Sequence, residues 1–145
     1  MKNIEEEEPK EYIERNMALV FIVLIIGLAI DWLSVSLLID VNPWGTMLAI
    51  PGIVFTLQGL WLLVNPYAVI YDNRFEIKQS LIYDREFYYL DAKAIDIKKN
   101  TRFEMTYNDG DPQSLPLFGI KEAHKPLFLE KLKQRIAESV KGRDF

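Results

Sequence analysis

Asp31 is the one charged residue in the apolar run Met17–Ile39, about two-thirds of the way along it. A carboxyl group at that depth of an apolar helix must be protonated, paired or turned toward water. Its chemistry is therefore either proton or ion transfer, or a hydrogen bond between helices. The second apolar run, Trp44–Val64, holds the groups that it could meet: Thr46, Thr56, Gln58 and the Pro51 break. Pro51 has no N–H to give the carbonyl of Met47, so that oxygen needs another donor. A transport path needs several polar groups along it, and two helices cannot enclose one without oligomerising. The residue types therefore favour Asp31 as interhelical glue, within the pair or to a partner subunit. An oligomeric channel or ion-coupled component working through Asp31 is the alternative.

A second set could bind anions. Lys78, Arg85, Lys93, Lys98, Lys99 and Arg102 concentrate in one stretch. If they converge beside a bilayer, each adds about 1 kcal/mol toward anionic head groups. Glu76, Asp84, Glu86, Asp91, Asp96 and Glu104 interleave with them, which is also the pattern of a mixed, solvated strand face. Asp109 and Asp111 flank Gly110 with donors of a partial calcium loop, but Asp-Gly pairs are the chemistry of plain hairpin turns. His124 is the only histidine and there is no cysteine, so thiolate chemistry and multi-histidine metal sites are excluded. No nucleophile elbow, Walker loop, zinc-binding helix or complete calcium loop is present. The expectation is a chain with no catalytic residues, no metal and no cofactor; a small-molecule ligand is left open.

The elements that carry these residues begin with the two apolar runs, split only by Asp40-Val41-Asn42-Pro43. At about 1.5 Å per residue, each is long enough as a helix to cross a hydrocarbon core of about 30 Å. Neither has the polar stripe of a soluble helix. The 145 residues carry a net charge of −4, unevenly spread: residues 1–16 contribute −3, Asp31 and Asp40 −2, and residues 66–145 +1. So nearly neutral a C-terminal part argues against nucleic acid as partner, which needs clustered positive charge.

The loop between the runs lacks Lys and Arg, whereas Lys2, Lys10 and Arg15 precede the first run and Arg74, Lys78 and Arg85 follow the second. The positive-inside rule then puts both termini in the cytoplasm. Trp44 and Tyr67, near the two ends of the second run, are expected at the interface. A cleavable signal is not expected, because the start is Glu-rich and the first run exceeds a signal core. Residues 1–16 are read as an acidic cytoplasmic tail, in which Glu11 and Arg15 at i,i+4 spacing extend the first helix inward. Residues 17–65 are the transmembrane hairpin.

After Pro66 the period changes. Strands are expected at 67–71, 75–78, 86–90, 94–99, 101–107 and 114–120, with turns at Asp72-Asn73 and 108–112. Phe103, Met105 and Tyr107 fall on one face, and Ile95 and Ile97 on another. From Pro126 the spacing of Leu129, Leu132, Ile136 and Val140 is helical, with Lys131, Lys133 and Arg135 on the outer side. Residues 66–145 thus form an α+β domain, a small antiparallel β-barrel or sandwich closed by a C-terminal helix.

The hairpin followed by Tyr-Ala-Val-Ile-Tyr-Asp-Asn-Arg-Phe-Glu-Ile-Lys (67–78) and Tyr-Leu-Asp-Ala-Lys-Ala-Ile-Asp-Ile (89–97) resembles bacterial membrane proteins with a pleckstrin-homology-like (PH-like) domain. In this chain Tyr89-Leu90-Asp91 replaces the usual proline-containing step, and the glycine between the second and third strands is absent. The resemblance implies an inner-membrane, multi-pass protein. It also raises the expectation that the basic residues bind lipid head groups. Without catalytic residues, the leading expectation is a membrane-anchored adaptor or accessory subunit. Its partners would be the bilayer and either another protein or its own copies.

Overall fold

Asn16 marks the point where the chain changes character. In a computed structural model, which describes residues 8–99 and 102–142, its side chain caps the first helix by accepting from the Ala18 N–H at 3.1 Å. Residues 1–7, with Lys2 and Glu5–Glu7 of the expected acidic tail, lie outside the described residues, as does the side chain of Lys99. The chain divides into two compact units. One holds Asn16–Asn65 and Gln79–Tyr83. The other holds the described residues up to Arg15, together with Pro66–Lys78 and everything from Asp84 onward.

The helical unit is a hairpin of α1 (Met17–Ile39) and α2 (Trp44–Val64). Both are long and apolar enough to cross a membrane, with mean hydropathies of 2.6 and 2.0 over their most apolar windows. A core helix of a soluble protein is mostly buried; only 17% and 11% of these windows are. The buried positions repeat every seven residues: Val20, Gly27 and Ser34 on α1, Gly45, Gly52 and Gly59 on α2. That period is the seam of a coiled coil. Here the small residues let the backbones close together, so that a Cβ on Gly27 would come within 2.7 Å of the Thr56 backbone nitrogen. α2 runs unbroken through Pro51. The link between the helices is tight, with Val41 in the left-handed region at φ 57°.

The second unit contains two antiparallel sheets. β1 (Glu11–Ile13), β2 (Ala68–Ile70), β3 (Arg74–Lys78) and β4 (Asp84–Tyr88) form one in that order. β5 (Ala92–Lys99), β6 (Arg102–Tyr107) and β7 (Gln113–Pro116) form the other. Of the expected barrel or sandwich, the sheets do not join into a closed barrel; they are two separate antiparallel sheets, of four and three strands. Residues 11–15 also depart from expectation. They are not a helical extension: Glu11–Ile13 pairs with Ile70–Ala68, and Arg15 bridges to Ile120. The competing force is burial, since Ile13 is 1% exposed in the core and a helix would have given up that contact.

α3 (Lys125–Lys141) buries Phe128, Leu129, Leu132 and Ile136. Phe128 meets Phe75 of β3, Phe103 of β6 and Tyr67 edge-on, with centroids 5.9–6.2 Å apart. One ring therefore ties the core sides of both sheets together. Tyr67, expected near a bilayer interface, is instead buried here, its hydroxyl donating to the Pro116 carbonyl. The expected β6 alternation holds, with Phe103 and Met105 buried. β5 keeps Ile95 inside but turns Ile97 out, where its register with β6 shifts.

Candidate functional site

In the helical unit several polar side chains bond across the hairpin. Ser34 donates to the Gly45 carbonyl at 2.6 Å, fixing the loop end of the hairpin. Further along, Thr56 donates through Oγ1 to Asp31 Oδ2 at 2.7 Å. Gly52 makes this possible: a Cβ there would collide with Asp31 Oδ1, so the carboxyl lies in the notch that the glycine leaves. Thr56, rather than the Met47 carbonyl behind Pro51, is the partner given to Asp31. Thr46 is exposed on α2. Gln58 faces the 79–83 segment, accepting from the Leu81 N–H at 3.0 Å and donating to the Gln79 carbonyl at 3.5 Å.

In the β unit, Arg15 occupies the place where the chain enters and leaves. Its guanidinium donates to the carbonyls of Pro66, at 3.0 Å, and Lys78, and its carbon lies 5.7 Å from the Tyr67 ring centroid. Burial lowers its pKa from the ordinary arginine value, against the opposing pull of Tyr67 and Asp84. Nearby, Glu14 takes a hydrogen bond from Lys121, which holds its carboxyl below the usual range, and its backbone N–H donates to His124 Nδ1 at 3.3 Å. His124 is thus a structural acceptor at the entry to α3.

The six cations singled out in the sequence are spread over both sheets. Lys78 on β3 bonds Asp84 at 2.7 Å and pairs with Glu76 at 3.2 Å. Burial lowers its pKa, but these two carboxylates outweigh that and leave it raised. Arg85 on β4 donates to Gln113 at 2.9 Å and stacks over Phe87. Lys98 on β5 pairs with Glu104 at 3.7 Å. Arg102 stands opposite Lys99 in the β5–β6 ladder.

Lys93 has different company. It borders a groove of about 390 Å³ between β5 and α3, with Ile95, Ile136 and Val140 among its apolar lining and Lys133 and Lys141 at its edge. Among the described residues, no acid pairs with Lys93, Lys133 or Lys141. Lys131 and Arg135 on the same helix are taken by Glu11 and Asp72. An apolar floor ringed by unpaired ammonium groups can take a short apolar segment flanked by acids. The helical spacing of Lys133, Ile136, Ala137 and Val140 carried a signal for this groove, but its other wall comes from β5, and only folding joins the two.

A second cavity, of about 420 Å³, surrounds the β6–β7 turn and includes Asp91, Asp109 and Asp111. No group of three or more His, Cys, Asp or Glu side chains among the described residues is placed to hold a metal ion. Compared with known proteins, the chain matches no protein-family model, no curated protein and no solved structure.

Proposed function

We propose that this chain is a non-enzymatic adaptor or accessory subunit of a bacterial inner membrane. In it the α1–α2 hairpin crosses the bilayer, and a cytoplasmic PH-like domain holds a protein partner in the β5–α3 groove. The observation that carries the proposal is the set of three lysines that have no acidic partner among the described residues around an apolar floor, where neighbouring lysines are neutralised. The occupant that fits is an apolar peptide segment with acidic flanks, supplied by another protein.

Several features support the rest. The four-stranded and three-stranded sheets followed by one helix favour the PH-like identity. The exposed apolar surface of both helices favours a lipid environment. The β1–β2 ladder favours a hairpin with both ends in one compartment, because paired strands cannot lie on opposite faces of a bilayer. The loop without Lys or Arg favours the cytoplasm as that compartment.

A photo-reactive residue at Val140, in the full chain in native membranes, tests the groove. The proposal expects a crosslinked protein adduct that disappears when Lys93, Lys133 and Lys141 are all changed to Glu. An adduct of twice the chain's mass would identify a second copy as partner. No adduct, or one indifferent to charge reversal, would sink the groove as the docking site.

A further inference from the structure

Between β3 and β4 the chain makes a turn, Gln79-Ser80-Leu81-Ile82-Tyr83, that belongs with the helical unit. It carries no charge, and its tip is apolar and outward: Leu81 is 51%, Ile82 93% and Tyr83 62% exposed. The N–H groups behind these side chains are nevertheless all occupied. The Leu81 N–H goes to Gln58 Oε1, and the N–H groups of Ile82 and Tyr83 go to Ser80 Oγ at 3.4 and 3.1 Å. The Gln79 carbonyl accepts from Gln58 Nε2, and the Tyr83 carbonyl from the Ser80 N–H at 3.3 Å.

A water-exposed turn has no need of such satisfaction, since solvent supplies the partners. Irregular backbone at membrane depth does need it, because hydrocarbon offers none. Gln58 also fixes the depth. It lies six residues before the end of α2, about 9 Å along the axis at ~1.5 Å per residue. Next to it on α2, Leu57 and Leu60 are about half exposed.

We propose that Leu81, Ile82 and Tyr83 form a lipid-inserted wedge, a second bilayer contact besides the two helices, with Gln58 as the anchor that holds it against α2. Its occupant is acyl chain, with the Tyr83 hydroxyl at the head-group level, where tyrosine rings concentrate. Gln58 is thereby relieved of an unpaired amide inside an apolar helix. The wedge rests on the membrane-spanning reading of α1 and α2 and adds a shallow contact to it.

The chain has no cysteine, so single labels can be placed cleanly. An environment-sensitive fluorophore is attached at Ile82→Cys in the full chain, reconstituted in phosphatidylcholine vesicles. Leu28→Cys, mid-way along α1, and Asp109→Cys, in the β6–β7 turn, serve as references. The wedge predicts that the Ile82 label loses at least half its emission to a lipid nitroxide at a shallow acyl carbon. Iodide should quench it several-fold less than the Asp109 label. With Gln58→Leu added, iodide quenching should rise toward the Asp109 value; no change would remove Gln58 as anchor. Iodide quenching equal to that at Asp109, with Leu28 still lipid-quenched, would overturn the wedge alone. Protection from both quenchers would mean a protein cover and would also overturn it. A Leu28 label that lipid cannot quench would overturn the membrane reading and the wedge together.

Discussion

Ile13 and Ala68 face each other across an antiparallel ladder, although the whole α1–α2 hairpin separates them in the chain. Both are essentially fully buried. The strand before the hairpin is therefore an edge of the same four-stranded sheet that continues after it, and the hairpin interrupts a β-unit instead of preceding one. Arg15 gathers the Pro66 and Lys78 carbonyls where the chain makes these passages.

The first prediction concerns that strand. Ile13→Ala should destabilise the β-unit by about 2–5 kcal/mol, the range for truncating a buried isoleucine. Tyr12→Ala, at an exposed neighbour, should stay within about 0.5 kcal/mol. Urea unfolding followed by tryptophan-independent circular dichroism separates the two. Equal, small effects would mean that β1 is not part of the core.

The hairpin seam gives the second. Gly52→Leu forces a side chain into the space of the Asp31 carboxyl and should separate the helices, read as lost excimer emission between pyrenes on α1 and α2. Asp31→Asn keeps an acceptor for Thr56 and should preserve helix pairing to within about 1 kcal/mol, the scale of such bonds between membrane helices. If Asp31→Asn leaves pairing intact but abolishes a proton or cation flux in vesicles, the acid works in transport and the interhelical role is secondary.

Buried tyrosines set the alkaline limit. Burial pushes Tyr89 and Tyr107 up to about 12, and Tyr67 higher, with Arg15 opposing the shift at Tyr67. The unfolded chain releases phenol protons near 10, so the native state binds more protons above that value. Stability should be complete below about pH 10 and fall as pH rises toward 12. Urea midpoints at pH 9, 10 and 11 should decline, and Tyr89→Phe with Tyr107→Phe should flatten the slope. An unchanged slope would remove burial of these hydroxyls as its cause.

Val41 holds a left-handed backbone, which is strained for a β-branched residue. Val41→Gly should therefore raise hairpin stability, or leave it unchanged once glycine's greater unfolded-state freedom is set against about 1 kcal/mol of relieved strain. Detergent-titrated unfolding of the hairpin provides the measurement; a clear loss would show that Val41 is not strained.

Sequence and structure agree where signals are local and long. The apolar runs end at Ile39 and Val64 in both, because a helix of that length is decided by its own composition. The face of β6 and the burial of Leu129, Leu132 and Ile136 on α3 follow from period alone, whereas Val140, at the end of the expected stripe, is exposed. β1 escaped because Glu-Tyr-Ile is short, flanked by charges, and paired with a strand beyond the hairpin. The seven-residue spacing of Gly45, Gly52 and Gly59 was present in the sequence, but only the facing Asp31, Leu24 and Leu38 give it meaning. Phe128 lies outside the stripe read from the spacing, and its role depends on rings from two sheets. The groove lysines were legible as charges, and their lack of acidic partners among the described residues only in three dimensions.

The central claim is that both flanks of the hairpin build one domain in one compartment. Single cysteines at Glu8, Asn42 and Asp109, treated with a membrane-impermeant maleimide on intact cells, test it directly. Labelling at Asn42 alone, with Glu8 and Asp109 reacting only after lysis, is the predicted result. Labelling of Glu8 or Asp109, but not both, from outside would put β1 and β2 on opposite sides of the membrane and contradict the account.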